Sequence, residues 1–256
     1  MNQKIRTSER QSFGLADSNS VASPFWKRVL DVAVILLTAP ITITIGAVVA
    51  LIIKLGSPGP VIFRQERVGY KGRRFVCFKF RTMHAGVETT SHQGHTAQLI
   101  KSSAPMTKLD VANDARVIPL GSILRATGLD ELPQLINVLR GEMSVVGPRP
   151  CLGYEYEMYE GWQKRRFDVT PGLTGLWQVS GKNRTTFNQM INLDIEYSEQ
   201  LNLWLDLKIM VKTVPALVVQ CYDQRAKRKQ ARKETVQAKA QAPSASVVSN
   251  RVNVIG

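Results

Sequence analysis

The sequence predicts an α+β fold, mainly helical, with an apolar membrane segment near its N-terminus, a short β-hairpin and amphipathic helices suited to a membrane interface. Three observations lead there. Residues 32–53 contain no charged side chain, a stretch of about 33 Å as a helix against about 30 Å of hydrocarbon core. Two runs rich in β-branched and aromatic residues, 61–67 and 74–80, flank Gly69-Tyr70-Lys71-Gly72, the pattern of a hairpin. The later chain places apolar residues at helical spacing between Gly and Pro punctuation, as in Leu132, Leu135, Ile136 and Leu139.

Composition narrows the class. The 256 residues carry 34 Lys and Arg against 20 Asp and Glu, a formal charge of +14, with 44% hydrophobic residues. Such a chain has a real core and is not a disordered polyelectrolyte. Cys77, Cys151 and Cys221 are unpaired in number and widely spaced, which argues against a disulfide framework or a structural zinc site and fits a reducing compartment. The positive surplus asks for an anionic partner: nucleic acid, an anionic membrane or a phosphorylated small molecule.

Residues 1–22 are polar and without periodicity and read as a disordered leader; residues 23–58 form the membrane segment. The apolar run starts too late and lacks the cleavage site of a secretory signal peptide, so it reads as a retained anchor. Pro40 falls within it and removes a backbone donor. One reading is a kinked single span. The other is a re-entrant helix that breaks at Ala39-Pro40 and leaves by the face it entered, its freed groups met by Thr38 or Thr42 hydroxyls. Basic residues at both ends, Lys27, Arg28, Lys54, Arg64 and Arg67, favour the second, because a spanning helix normally has one poorly basic flank. Charge asymmetry alone leaves both open.

Residues 59–222 read as a soluble domain. From 64 to 81 there are seven basic residues and one acidic, so the hairpin should lie against an anion. Residues 86–112 have no period and predict a long loop. A short helix over 120–127 closes at Gly128. A second follows, with Asp130 placed to cap it, Pro133 in its first turn and Gly141 to end it. Pro148-Arg149-Pro150 then predicts a rigid extended segment holding an arginine. Residues 154–167 and 187–201 predict helices, and 171–181 a glycine-rich turn region. Residues 201–220 are apolar but interrupted by Asp206, Lys208 and Lys212, which suits an interfacial helix with Trp204 at headgroup depth. Residues 223–256 read as a basic, disordered tail, which an anionic leaflet would attract.

The acidic pair Asp130-Glu131 stands out in this basic domain. In isolation it is no more than a cap and a favourable first-turn charge. Its setting among Lys79, Arg81, Arg125 and Arg149 suits phosphoryl chemistry, since arginines hold phosphate oxygens in pairs, one carboxylate can hold Mg²⁺ and another can attack phosphorus. Other candidates are weaker. His84, His92 and His95 lack companion ligands and read as solvated. The glycines of 172–181 match no Walker pattern. Asp194 and Glu196, two apart, cannot share a helix face.

Lys27-Arg28-Val29-Leu30-Asp31, the run from Gly59 through Arg64-Gln65-Glu66-Arg67-Val68-Gly69, Lys79-Phe80-Arg81-Thr82-Met83, Leu129-Asp130-Glu131-Leu132-Pro133-Gln134, Val146-Gly147-Pro148-Arg149-Pro150 and the run from Pro171-Gly172-Leu173-Thr174-Gly175 to Trp177-Gln178-Val179-Ser180-Gly181 occur in one order. Together, across roughly 25–220, they resemble the bacterial sugar transferases, the monotopic phosphoglycosyl transferases. The resemblance implies an enzyme of the bacterial inner membrane, its catalytic domain on the cytoplasmic face. Such an enzyme moves a sugar 1-phosphate from a UDP-sugar to undecaprenyl phosphate, releases UMP and begins a surface glycan or exopolysaccharide. It implies Asp130 as the nucleophile of a covalent phosphosugar intermediate and Glu131, with Asp130, as ligands of Mg²⁺. Lys79, Arg81, Arg125 and Arg149 match phosphate-binding positions. Gln178, Lys182, Asn183 and Arg184 resemble a substrate-binding stretch of hexose-transferring members. The family's anchor is re-entrant, which favours that reading here, although its usual Ser-Pro break is Ala39-Pro40. The short stretch before Lys27 implies the minimal form of the family, and downstream glycosyltransferases are possible partners. The rival class is a non-enzymatic, membrane-tethered basic protein that binds nucleic acid or anionic lipid, in which the acidic pair would have no use.

Overall fold

The computed structural model describes residues 23–84, 94, 97–100, 102, 116–181 and 184–241, with Gln224 and residues 227–241 as backbone only. The expected leader, most of the expected 86–112 loop, His92, His95, Lys182, Asn183 and residues 242–256 lie outside the described residues.

Helix α1, Phe25–Gly56, is continuous and includes Pro40. The expected interruption at Ala39-Pro40 is therefore not a gap in helical backbone. A proline deletes one amide donor and leaves the flanking intrahelical bonds intact. The Thr38 and Thr42 hydroxyls do donate to the main chain, at 2.8 Å to Val34 O and 3.1 Å to Thr38 O. The carbonyl that Pro40 deprives of a partner belongs to Leu36, so they bond neighbouring groups, a pattern that bends helices.

Both ends of α1 are built into the domain. Lys27, Asp31 and Ile35 are buried near one end and Val49 and Ile53 near the other, whereas Leu36, Leu37, Ile41 and Ile43 between them are exposed. At the first end Lys27 pairs with Asp206, Asp31 Oδ1 accepts from Ser144 Oγ at 2.9 Å and Val145 N at 2.8 Å, and the Arg28 guanidinium donates to the carbonyls of Val138 and Leu139. The charges before the apolar run thus fasten it.

The hairpin forms as its pattern predicts. Strands β1, Ile62–Val68, and β2, Arg74–Phe80, pair antiparallel with Ile62 opposite Phe80 and Phe63 opposite Lys79. Helix α2, Gly121–Thr127, closes at Gly128, whose φ of 74° needs glycine. A 3-10 turn, Leu129–Gln134, leads directly into α3, Leu135–Leu139, and Gly141, at φ 76°, follows it. Asp130 is not the cap that was expected. Gly128 holds that position and its carbonyl accepts from Glu131 N at 3.0 Å, which places Asp130 within the first turn.

A second, parallel sheet was not expected. Strand β3, Ser144–Val146, pairs with β4, Gly172–Thr174, inside the region read as a glycine-rich turn. The two backbones approach so closely that a Cβ on Gly172 would lie 2.0 Å from Gly147 N. The predicted helix over 154–167 is two pieces, α4, Gly153–Met158, and a 3-10 turn, Gln163–Phe167. After α5, Leu176–Val179, helix α6, Phe187–Glu199, begins at Thr186, which accepts from Gln189 N at 3.3 Å and donates its own amide to Gln189 Oε1 at 2.8 Å.

Helix α7, Leu203–Gln241, runs well past the expected boundary at 222. Residues 223–241 are mostly Ala, Lys, Arg, Gln and Glu, all strong helix formers, so a basic stretch that looked like a tail continues the helix. Asp206 and Ile209 are buried, while Trp204, Val211, Val214, Val218 and Tyr222 are exposed. One core cluster joins the β1–β2 hairpin, the 159–167 stretch, α5 and α6, with Val68, Tyr159, Phe167, Trp177, Phe187 and Ile191 packed together.

Candidate active site

Between the hairpin, the 3-10 turn after α2, the β3 exit loop and α7 lies a cavity of about 590 Å³. One face is charged, lined by Arg67, Lys79, Arg125, Asp130, Glu131 and Arg149; Leu132, Leu135, Leu173 and Leu217 contribute apolar wall. Each charged side chain has a distinct local origin. Lys79 is the penultimate residue of β2, Arg125 lies in the last turn of α2, the acidic pair lies in the first turn after Gly128, and Arg149 stands between two prolines.

Asn137 sets the register between these pieces. It is fully buried and accepts from Phe78 N through Oδ1 at 3.1 Å, while Nδ2 donates to Val76 O at 2.7 Å and Glu142 Oε2 at 2.6 Å. One amide side chain thereby pins α3 to the middle of β2, and Lys79 comes opposite Glu131.

Glu131 is the electrostatic centre. Its Oε1 accepts from Lys79 Nζ at 3.1 Å and from Arg149 Nη1 at 3.2 Å. Burial opposes its ionisation, but Lys79 and Arg149 override this and hold the carboxyl well below the usual carboxylate range. Burial lowers the Lys79 ammonium, against the pull of Glu131 and with help from the neighbouring cations Arg149 and Arg67. Glu131 raises Arg149. Asp130 lines the same cavity and its charge acts on both Lys79 and Arg149. A carboxylate beside two cations, next to a second carboxylate, is a site for an anion with a nucleophile at hand.

The model for the family described as bacterial sugar transferase matches residues 22–220. The chain belongs to the bacterial sugar transferase family. It is 41% identical over 206 residues to the UDP-glucose:undecaprenyl-phosphate glucose-1-phosphate transferase of Caulobacter vibrioides, covering 77% of this chain and 72% of that one. It is 36% identical over 191 residues to the exopolysaccharide production protein ExoY of Sinorhizobium fredii, covering 75% of this chain and 84% of that one. It is 40% identical over 162 residues to the galactosyl transferase CpsE of Streptococcus agalactiae, covering 63% of this chain and 35% of that one. This sugar transferase thus spans about a third of the length of the streptococcal relative.

Lys79, Arg125, Asp130, Glu131, Arg149 and Gln178 all line the sugar transferase cavity. Gln178 donates from Nε2 to Leu173 O at 2.9 Å, and its buried Oε1 has no hydrogen-bond partner among the described residues. Arg81 is not at the cavity. It is 4% exposed and closes the end of α1, Nη1 donating to Pro58 O at 2.7 Å and Nη2 to Ser57 O at 2.9 Å. Lys79 and Arg81 would share a face if the strand continued, but β2 ends at Phe80 and the alternation ends with it. Arg184 is exposed and is not among the lining residues. Sequence reasoning missed Arg67, Arg166 and Asn137. The Arg67 signal was present, since it is the one arginine of the hairpin beside the Val-Gly corner, but its inward direction is set by the strand register.

Proposed function

We propose that this sugar transferase moves a sugar 1-phosphate, a hexose 1-phosphate, from a UDP-sugar to undecaprenyl phosphate and so begins an exopolysaccharide or other surface glycan. The observation that carries this is the meeting of Asp130 with the Glu131–Lys79–Arg149 cluster and Arg125 in one cavity. The name of the Caulobacter relative, which pairs UDP-glucose with undecaprenyl phosphate, supports it. The nucleic-acid-binding alternative has no support in the relatives' names.

In this reading an Asp130 carboxylate oxygen attacks the sugar-bearing phosphorus. The bond from that phosphorus to the bridging oxygen breaks, and UMP leaves with the electron pair. A phosphate oxygen of undecaprenyl phosphate then attacks the same phosphorus, frees Asp130 and gives the polyprenyl diphosphate sugar. Lys79 and Arg149 offset the charge gathering on the phosphates, and Glu131 holds both cations in place. Arg125 lies on the same wall. The unpartnered Gln178 Oε1 is an acceptor for a hydroxyl of the sugar.

The donor set also bears on a metal. Among the described residues no group of three or more His, Cys, Asp or Glu could cage an ion. Mg²⁺ commonly takes one or two carboxylates with phosphate oxygens and waters, and Asp130 with Glu131 fit that partial set. When bound by them, Mg²⁺ neutralises phosphate charge.

The polyprenyl acceptor keeps its phosphate at headgroup depth, which suits a domain lying on the membrane. Exposed Leu36, Leu37, Ile41 and Ile43 on α1 would each forgo about 1.5–3 kcal/mol if left in water. Exposed Trp204, Val211, Val214, Val218 and Tyr222 put an interfacial stripe on α7. A re-entrant α1 is favoured by its packing. Ile35 packs with Cys77, and Val49 with Phe80. Both ends of α1 thus pack into the one domain, which supports placing both on the inner, cytoplasmic face. A labelled N-terminal tag reachable only from the periplasm would sink this topology.

The function is tested by incubating the purified protein with radiolabelled UDP-glucose, UDP-galactose or N-acetylated UDP-sugars and undecaprenyl phosphate. Lipid-linked label and UMP are expected with one hexose donor, and Asp130→Asn should lower turnover by at least about 10³-fold. Full turnover by Asp130→Asn would remove the covalent route, and no lipid product from any UDP-sugar would remove the proposed activity.

A further inference from the structure

Pro148, Arg149 and Pro150 present one long side chain to the cavity, yet the two prolines have no amide to donate. Apart from Arg149's own amide, this stretch can be tethered only through its carbonyls, and all three are held. Pro148 O accepts from Gly172 N at 2.9 Å, Arg149 O from Arg166 Nη2 at 3.0 Å, and Pro150 O from Arg67 Nη1 at 3.3 Å. The first bond extends the β3–β4 contact. The other two come from arginines on different elements, Arg166 buried and Arg67 half-buried.

Arg166 is 2% exposed. A guanidinium there loses most of its hydration, which costs several kcal/mol unless the surroundings replace it. Its Nη2 lies 2.5 Å from Asp194 Oδ2 and its Nη1 donates to Tyr159 Oη at 3.2 Å. Asp194 belongs to α6 and Tyr159 packs against Phe167 and Phe187. The nitrogen that reaches Arg149 O therefore stands on the aromatic core cluster of Tyr159, Phe167 and Phe187. Arg67 is fixed from the hairpin side, with Nη2 donating to Gln65 Oε1 at 2.7 Å. Both arginines line the cavity while their terminal nitrogens are engaged by protein acceptors.

We propose that Arg166, held by Asp194 and Tyr159, and Arg67 are positioning residues: they fix the main chain of residues 148–150 so that the Arg149 guanidinium meets both Glu131 and the donor's phosphate. The inference rests on the phosphate-binding role given to Arg149 above. It explains why a cavity for an anion has two arginines whose forks face the protein. A rigid Pro-Arg-Pro segment keeps its own shape but not its own place, and these two guanidiniums supply the place.

A double-mutant cycle on kcat/KM, read from UMP release, tests it. Arg166→Lys keeps the charge opposite Asp194 but loses the fork that reaches several acceptors. Alone, Arg166→Lys and Arg67→Lys should each lower kcat/KM by about 10-fold, and in an Arg149→Lys background each should lower it by less than about threefold more. A role confined to general stability, or direct contact with the donor, makes the losses multiply in full, and that result overturns the proposal. If Arg166→Lys does not fold, the cycle with Arg67→Lys decides, because Arg67 reaches the same segment from the hairpin. If instead Arg149→Lys is as active as the wild type, the phosphate-binding role of Arg149 fails and takes the proposal with it. Multiplying losses beside an impaired Arg149→Lys reject the proposal alone.

Discussion

Two lysine–carboxylate pairs in this molecule have opposite fates. Lys27 and Asp206 join α1 to α7 with side chains 1% exposed, and Lys79 and Glu131 face the cavity with side chains 15% and 25% exposed. At the first, Lys27 Nζ also donates to Tyr197 Oη at 2.9 Å, and Tyr197 Oη donates to Asp206 Oδ1 at 2.7 Å. Asp31 also acts on Lys27, so two anions and one phenol surround this one cation and no cation surplus is left. At the second, one carboxylate oxygen serves both Lys79 and Arg149, with Arg67 and Arg125 on the same wall. The local cation surplus is open to solvent. The same residue types therefore fasten a long apolar helix at one place and prepare an anion site at the other, and the difference lies in charge balance and access.

The sharpest way to break that comparison is to remove one lysine from each pair. Lys27→Met strands Asp206 in the interior, and losing one partner of a buried pair typically costs about 3–5 kcal/mol. A large drop in the thermal unfolding midpoint in detergent is expected, with near-normal turnover for the molecules that remain folded. Lys27→Met combined with Asp206→Leu should recover much of the lost stability, since apolar replacement of a whole buried pair is often neutral or better. A midpoint unchanged by Lys27→Met would show that the pair contributes nothing to holding α1 down.

Lys79→Met should give the converse. Glu131 keeps Arg149 as a partner and has access to solvent, so the fold survives. The loss falls on phosphate binding, about 100-fold in kcat/KM, or about 2.7 kcal/mol of transition-state stabilisation. Measuring the unfolding midpoint and UMP release on the same preparation separates the two outcomes. A variant that loses stability but retains kcat/KM would make Lys79 a second structural lysine.

The sequence distinguishes these pairs only in part. Local chemistry is legible: the Gly69–Gly72 corner marked the hairpin, Gly128 and Gly141 bracketed the 3-10 turn and α3, and α6 falls within the helix expected over 187–201. Asp130, Glu131, Lys79, Arg149 and Gln178 could be nominated through ordered motifs, because each sits in a short rigid run, and Arg125 through its place five residues before the acidic pair. What stayed hidden depends on partners far along the chain. Strands β3 and β4 have three residues each and pair across a separation too long for any local period to reveal. Asn137 and Arg166 act on carbonyls of distant segments, and a main-chain carbonyl leaves no mark in a sequence. Arg81 was misplaced for a related reason. Its spacing from Lys79 has meaning only inside a strand, and the strand stops between them.

The smallest expected effect concerns pH and bears on Lys79 alone. Burial lowers its ammonium from the ordinary 10.5, with Arg149 and Arg67 adding to the effect and Glu131 opposing it. As pH rises, Lys79 in the folded protein loses its proton before an unfolded lysine does. Over that window the unfolded chain binds more protons than the native one, so this group's contribution to stability increases with pH. Activity moves the other way, because the cation needed for phosphate has gone. Lys79→Arg replaces it with a group that stays charged. The alkaline limb of kcat/KM should therefore begin below pH 10.5 in the wild type and lie higher in Lys79→Arg. The difference in unfolding midpoint between the two proteins should shift toward the wild type over the same interval. Coincident limbs would mean that another group sets the alkaline loss and that Lys79 does not carry the charge felt by the donor.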